Sequence, residues 1–162
     1  MYRILGVDPG SVCTGYGIIA GEGDRFSYVA SGAIVLGKSA PRYDKLRSIF
    51  EKLDQVIEEH SPTHLAIEDV FYSKNARSSL VLGEARGAAI LAAALRDVPV
   101  FEYSAREVKQ SVTGNGAADK GQVAFMVVRI LELNHRPESS DETDALAVAV
   151  CHAFKNRKWS VL

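Results

Sequence analysis

Residues 3–20 read RILGVDPGSVCTGYGIIA: two short apolar runs, RILGVD and GYGIIA, on either side of the turn-rich segment PGSVCT. Proline and glycine punctuate the middle of the stretch, which predicts two strands joined by a loop, so the chain opens with a hairpin. That reading places the first carboxylate, Asp8, at the end of the first strand. Residues 26–36, FSYVASGAIVL, partly alternate and are rich in aromatic and β-branched types, extending the hairpin to a three-stranded meander.

Beyond the meander the period changes. From Pro41 onward apolar residues recur at Leu46, Ile49, Phe50, Leu53, Val56 and Ile57 with charges between them, the spacing of a helix lying on a sheet. HLAIE, residues 64–68, is a nearly unbroken apolar run closed by a carboxylate and fits a strand covered on both faces. Residues 76–95 predict a second helix. Its Gly83 and Gly87, one turn apart among many alanines, lower helix propensity but let another backbone approach closely, so the helix is expected to form an interface. A fifth strand is expected at Val98 to Phe101. Ser104 with Glu107, and more loosely Asp119 with Gln122, have capping-box spacing, with the loop TGNGAA between them. Val123, Met126, Val127 and Ile130 mark the amphipathic helix that follows, and a last helix runs from about Asp141 towards Phe154. The order of elements predicts an α/β fold, a mixed five-stranded sheet with helices on both faces, of ribonuclease H-like architecture.

The bulk properties agree with a single domain spanning residues 1–162. The chain is long enough to bury one core, and 47% hydrophobic with 24% charged residues excludes a disordered polymer. Cys13 and Cys151 have no paired spacing and no histidine cluster nearby, which excludes a disulfide framework and a zinc site. The scattered histidines, His60, His64, His135 and His152, match no ligand spacing and read as structural or surface residues. No apolar run approaches the ~20 residues of a membrane span, so a cytoplasmic protein is expected. The net charge of −1 looks low for a nucleic-acid binder. Two bound divalent ions would bring it to +3.

The acids supply a place for such ions. Asp8 and Glu68 each close a strand, and if those strands are parallel neighbours both side chains emerge at the sheet edge where open α/β sheets place ligands. Asp141 and Asp144 are three residues apart and share one helix face. The stripe continuing from them, Ala145, Ala147, Val148 and Cys151, is expected to face the sheet and so carry both aspartates towards Asp8 and Glu68. Clustered carboxylates are relieved by protonation or by cations, and oxygen-only ligands suit Mg²⁺ or Mn²⁺. Two such ions fit phosphodiester hydrolysis. Taken singly, each acid has a plainer reading: Asp8 as a turn former before Pro9-Gly10, Glu68 as a solvated strand end, Asp141, Glu142 and Asp144 as partners of a helix dipole. Asp69 and Glu142 adjoin the cluster but are expected to point elsewhere.

Four segments carry a resemblance. GVDPGSVCTGYGII (6–19) and IEDVFYSKNARSSLVLGEARGAAI (67–90) resemble the first and second motifs of the bacterial RuvC Holliday-junction resolvases. REVKQSVTGNGAADKGQV (106–123) and DETDALAVAVCHA (141–153) are similar to the third and fourth. A loop like the first motif alone also occurs in sugar kinases and actin-like ATPases, but those need two such domains and a second phosphate loop. The resemblance implies catalytic, metal-holding acids at Asp8, Glu68, Asp141 and Asp144, and basic residues near the active site at Lys109 and Lys120. It further implies a junction-contacting aromatic at Phe71, a homodimer that nicks two like-polarity strands of a four-way DNA junction symmetrically, and RuvA and RuvB branch-migration proteins as partners. An exposed aromatic amid basic residues can stack on bases, which makes Phe71, Tyr72, Lys74 and Arg77 candidate DNA contacts on physical grounds too. Lys109 and Lys120 flank the Gly-containing loop and could neutralise a scissile phosphate. A junction-binding protein with a dead active site is disfavoured because all four acids are present. Val12 stands where some relatives carry a basic residue, and the sequence closes on KNRKWSVL (155–162), without the longer tail of some relatives.

Overall fold

A computed structural model describes residues 2–22, 25–69 and 75–156. Strands β1 (Tyr2–Asp8), β2 (Cys13–Glu22) and β3 (Arg25–Val35) come first, followed by α1 (Arg42–His60), β4 (His64–Glu68), α2 (Ala76–Ala94) and β5 (Val100–Tyr103). Three helices complete the order: α3 (Ala105–Thr113), α4 (Lys120–Ile130) and α5 (Ser140–Lys155). The strands form one mixed sheet in the order β3-β2-β1-β4-β5. The meander is antiparallel, whereas β4 runs parallel to β1 and β5 parallel to β4. The C-terminal ends of β1, β4 and β5 therefore share one edge of the sheet, as expected for a ribonuclease H-like fold.

β5 begins two residues later than the apolar run suggests. The end of α2 closes through a turn in which Asp97 takes a positive φ of 55°, and Val98 N–H bonds back to Ala93 O at 3.0 Å. The chain straightens only after that bond is made. Both predicted capping boxes are present, at Ser104 with Glu107 and at Asp119 with Gln122. α5 opens on Ser139, whose side chain accepts from Glu142 N–H, so the helix starts just ahead of Asp141.

Strand alternation sorts two apolar layers. Leu5, Val7, Ile18, Leu65 and Ile67 pack on the α1 and α2 side, while Ile4, Ile19, Ala66 and Tyr103 pack on the side of α3, α4 and α5. His152 sits at the centre of the second layer, with Nδ1 2.7 Å from Tyr103 Oη. Burial, followed by the neighbouring His64, pushes its pKa down to about 4, so it is a neutral core residue.

α5 is covered by the sheet on one side and by α3 and α4 on the other, which corrects the single-stripe expectation. Ala145 and Ala149 lie over Gly6 of β1, and Leu146 over Gly17 of β2. Cys151 turns instead to α3, with Sγ 3.3 Å from Ser111 Oγ, and Ala147 faces the cleft between α3, α4 and the strand ends. A helix covered on both sides has no polar face, so periodicity cannot say which of its stripes meets the sheet.

Glycines set how closely α5 lies. A Cβ on Gly6 would stand 2.1 Å from Ala145 O, and one on Gly15 2.0 Å from Asp141 O. Gly15 pairs with Asp8 across the ladder, and Gly17 with Gly6. These glycines place the first turn of α5 against the strand end that carries Asp8. Gly83 and Gly87 differ, since a Cβ on either would meet nothing within 4 Å. The close backbone approach expected there is not made within the described residues. Both glycines lie on an outer face of α2 that also exposes Leu80, Leu91 and Leu95. Among the described residues no helix is long and apolar enough to cross a membrane.

Candidate active site

Asp8 follows Ile4 and Gly6 at alternate positions of β1, and Glu68 follows Ala66 in β4, so both carboxylates emerge on the α5 side. The two strands are hydrogen-bonded parallel neighbours, with Val7 beside Ile67, and this brings both acids to one edge. α5 delivers the other two. Asp141 has its backbone on Gly15, opposite Asp8, and Asp144 lies one turn further along, where it faces the first turn of α4.

Asp8, Glu68 and Asp144 line a cleft of about 230 Å³ together with Lys109 of α3 and Lys120 of α4. Its walls are small apolar residues of α3, α4 and α5. Lys120 is placed by the capping box that starts α4, and its Nζ donates to Asp144 Oδ2 at 3.0 Å. Asp141 lies beyond Asp8, beside Cys13.

The four acids crowd one another. Burial first, then the charges of Glu68, Asp144 and Asp141, raise the pKa of Asp8 to about 7, with Lys120 opposing. Glu68 is likewise pushed up, by burial and then by Asp144, against the pull of Lys120 and Lys109. The hydrogen bond to Asp144 raises the Lys120 pKa, so the ammonium stays charged. The Cys13 thiol is pushed up to about 11 by burial and then by Asp141, to which it hydrogen-bonds, so it remains protonated beside that carboxylate. Cys13 had no role in the sequence reading; its place at the start of β2, two positions before Gly15, was the only hint. Glu142 turns away and accepts from Ser31 Oγ at 2.7 Å, while Asp69 stands 3.7 Å from Arg86 Nη2.

The donors are all oxygens, gathered where charge is unrelieved, and this suits a hard divalent cation. They line an open cleft: among the described residues no three or more His, Cys, Asp or Glu side chains stand close enough together to hold a metal ion as they are placed, and Lys120 occupies one oxygen of Asp144. Asp8 without a cation must share its site with a proton at neutral pH.

Not every candidate joins this cleft. Arg77 lies in the first turn of α2 and lines a separate pocket with Gly10 and Ser11, the loop that follows Asp8. Phe71, Tyr72 and Lys74 lie outside the described residues.

Relatives share this framework. The family model described as crossover junction endodeoxyribonuclease RuvC matches residues 4–152. A protein of that name from Pseudoalteromonas translucida is 53% identical over 157 residues, covering 97% of this chain and 89% of its own. One from Pelotomaculum thermopropionicum is 47% identical over 150 residues, covering 93% and 92%. The structure of T. thermophilus RuvC in complex with a Holliday junction substrate superposes with a TM-score of 0.92 at 31% identity, covering 99% of this chain and 98% of that one. With sequence and backbone matching from the first strand to the last helix, the chain belongs to the RuvC family of crossover junction endodeoxyribonucleases.

Proposed function

We propose that this protein resolves four-way DNA junctions by metal-dependent phosphodiester hydrolysis, with Asp8, Glu68, Asp141 and Asp144 holding Mg²⁺ or Mn²⁺, two ions per site. The observation that carries the reading is the cleft at the sheet edge that gathers Asp8, Glu68 and Asp144 with Lys109 and Lys120, where burial first and then the neighbouring carboxylates raise the pKa of Asp8. When bound, the ions polarise the attacking water and stabilise the leaving oxygen. Asp8, between the other acids, is the ligand whose loss removes most of the site. Lys120 and Lys109 stand beside the acids, positioned to pair with the non-bridging oxygens of the scissile phosphate. As phosphate enters, Lys120 exchanges Asp144 for it and frees that carboxylate for a cation. Phe71 contacts bases near the junction centre, and Tyr72, Lys74 and Arg77 contact the junction DNA. RuvA and RuvB are the proposed partners in recombination and repair, and the cytoplasm the proposed location.

The test offers the protein a synthetic four-way junction and a linear duplex of the same sequence in Mg²⁺. Paired nicks in opposed arms, with little duplex cleavage, are the expected result. Equal cutting of the duplex would end the junction assignment.

Symmetrical nicking needs two sites held together, and we propose a homodimer through α2. Its outer face exposes Leu80, Leu91 and Leu95 around Gly83 and Gly87, where a second helix could approach closely. Leu91→Glu places a charge in that face and is expected to shift the mass in solution from dimer to monomer, and to uncouple the two nicks. A parent protein already monomeric at working concentration contradicts this arrangement.

A further inference from the structure

The loop after Asp8 separates two depressions of opposite charge. On the α5 side lies the acidic cleft. On the α1 and α2 side lies a second pocket, of about 200 Å³, floored by Ile49, Leu36 and Ala85 and rimmed by Gly10, Ser11, Arg42, Lys45 and Arg77. Its basic residues come from the first turns of two different helices, Arg42 and Lys45 from α1 and Arg77 from α2.

Among the described residues Glu84 is the only carboxylate lining this pocket, and it pairs with Arg42. Glu84 is largely covered, with 19% of its side chain exposed, whereas 63% of the Arg42 side chain remains in solvent. Arg42 is thus anchored at one nitrogen and open elsewhere. Lys45 is steadied by a bond from Nζ to Lys38 O at 3.3 Å. Among the described residues, three cations against one carboxylate leave a concave site with a surplus of positive charge, lined at its edge by the backbone of Gly10. An apolar floor beneath a basic rim holds an anion whose far side stays in solvent, as a backbone phosphate does.

We infer that this pocket holds a DNA backbone phosphate on the strand that continues from the scissile one across the Gly10–Ser11 loop. The inference rests on the nuclease reading above, since only a strand lying in the acidic cleft is brought to this side of the loop. Strand DNA has its phosphates at short regular intervals, so a chain seated in one depression presents further phosphates to the other. Glu84 acts here as a competitor, holding Arg42 in place while DNA is absent and yielding it when phosphate arrives.

The two roles of the pair give opposite signs on mutation. Junction binding is measured at graded salt in the presence of chelator, so that no cutting intrudes. The double variant Arg42→Ala, Lys45→Ala is expected to bind roughly ten-fold more weakly at moderate salt, with the slope of log affinity against log salt shallower by about one to two. Glu84→Gln is expected to bind about two- to five-fold more tightly, because it frees Arg42 and removes a negative charge from the pocket. Weaker binding by both variants, accompanied by a lowered Tm, would show the pair to be structural and overturn the inference. A double variant with the parent's affinity and slope also overturns it, and leaves the nuclease reading intact. A parent that binds duplex as tightly as junction defeats the junction reading instead, while the slopes still decide the pocket. A parent that binds neither DNA defeats both.

Discussion

Replacing Asp8 by asparagine is expected to lower junction cutting in Mg²⁺ by at least about 10³-fold while junction binding is kept or slightly tightened. The size of the loss follows from the site. Asp8 is the acid whose pKa burial and then the charges of Glu68, Asp144 and Asp141 all raise. Asparagine keeps the shape and one carbonyl oxygen but cannot supply the anion that a hard cation requires. Binding is expected to survive because, on the proposed reading, the phosphates meet lysines and arginines rather than this carboxylate, and removing a negative charge from the cleft favours DNA. Unimpaired cutting by the variant would sink the proposed metal site.

The same substitution has a second signature of opposite sign. The folded-state pKa of Asp8, about 7, lies above its ordinary value of 3.8. Such a group favours the folded state fully below the ordinary value, and loses that contribution as pH rises towards 7. Asparagine is neutral throughout. In metal-free buffer the variant should therefore match the parent near pH 4 and become the more stable of the two as pH climbs, with the full difference above pH 7. A shift of this size sets a ceiling of about 4 kcal/mol, and solvent screening lowers the expected gain to on the order of 2 kcal/mol. Thermal unfolding at pH 5 and pH 8 measures it. Adding Mg²⁺ should stabilise the parent more than the variant and so narrow the gap. A variant no more stable than the parent at pH 8 without metal would mean that Asp8 is neither buried nor crowded enough to favour its protonated form.

How much of this was legible beforehand depends on the kind of residue. Asp8 and Glu68 were readable because a strand's two-residue period fixes a face, and because an apolar run ending in an acid is unusual in a surface strand. Asp141 and Asp144 fall at the start of the last helix, where the sequence put them, but that helix was assigned one buried stripe where it has two, since Ala147 and Cys151 meet α3 and α4. A sequence that is apolar all round contains no signal for that choice. β5 was misplaced by two residues because the turn at Asp97 depends on backbone bonds to Ala93 that composition does not reveal. Lys109 and Lys120 looked like ordinary surface lysines until motif order singled them out, and only the fold brings them to one cleft. The glycines were the largest omission. Gly6, Gly15 and Gly17 read as ordinary strand and turn residues, although what they exclude, a single methyl group, sets the distance between helix and sheet.

That distance gives Gly6→Ala a large expected effect on stability. The added Cβ would lie 2.1 Å from Ala145 O, 2.8 Å from Ala149 N and 2.9 Å from Ala149 Cβ. The first two are backbone atoms of a helix pinned on its far side by α3 and α4, so no side-chain rotation relieves the overlap and α5 must move as a body. Inserting a methyl group into a packed core ordinarily costs about 1–3 kcal/mol, and an obstacle made of backbone belongs at or above the top of that range. A loss of about 3–4 kcal/mol corresponds to a fall in Tm on the order of 10 °C for a chain of this length. Gly37→Ala is the matched control, because its nearest neighbour, Ala40 Cβ, stands at an ordinary 3.5 Å, and its Tm should change little. The two variants also separate packing from chemistry. Moving α5 carries Asp141 and Asp144 away from Asp8 and Glu68, so the Gly6 variant should cut junctions slowly even at temperatures where it remains folded, and raising Mg²⁺ should recover part of that loss. A Gly6→Ala protein as stable and as active as its parent would mean that the contact between β1 and α5 does not set the spacing of the acids.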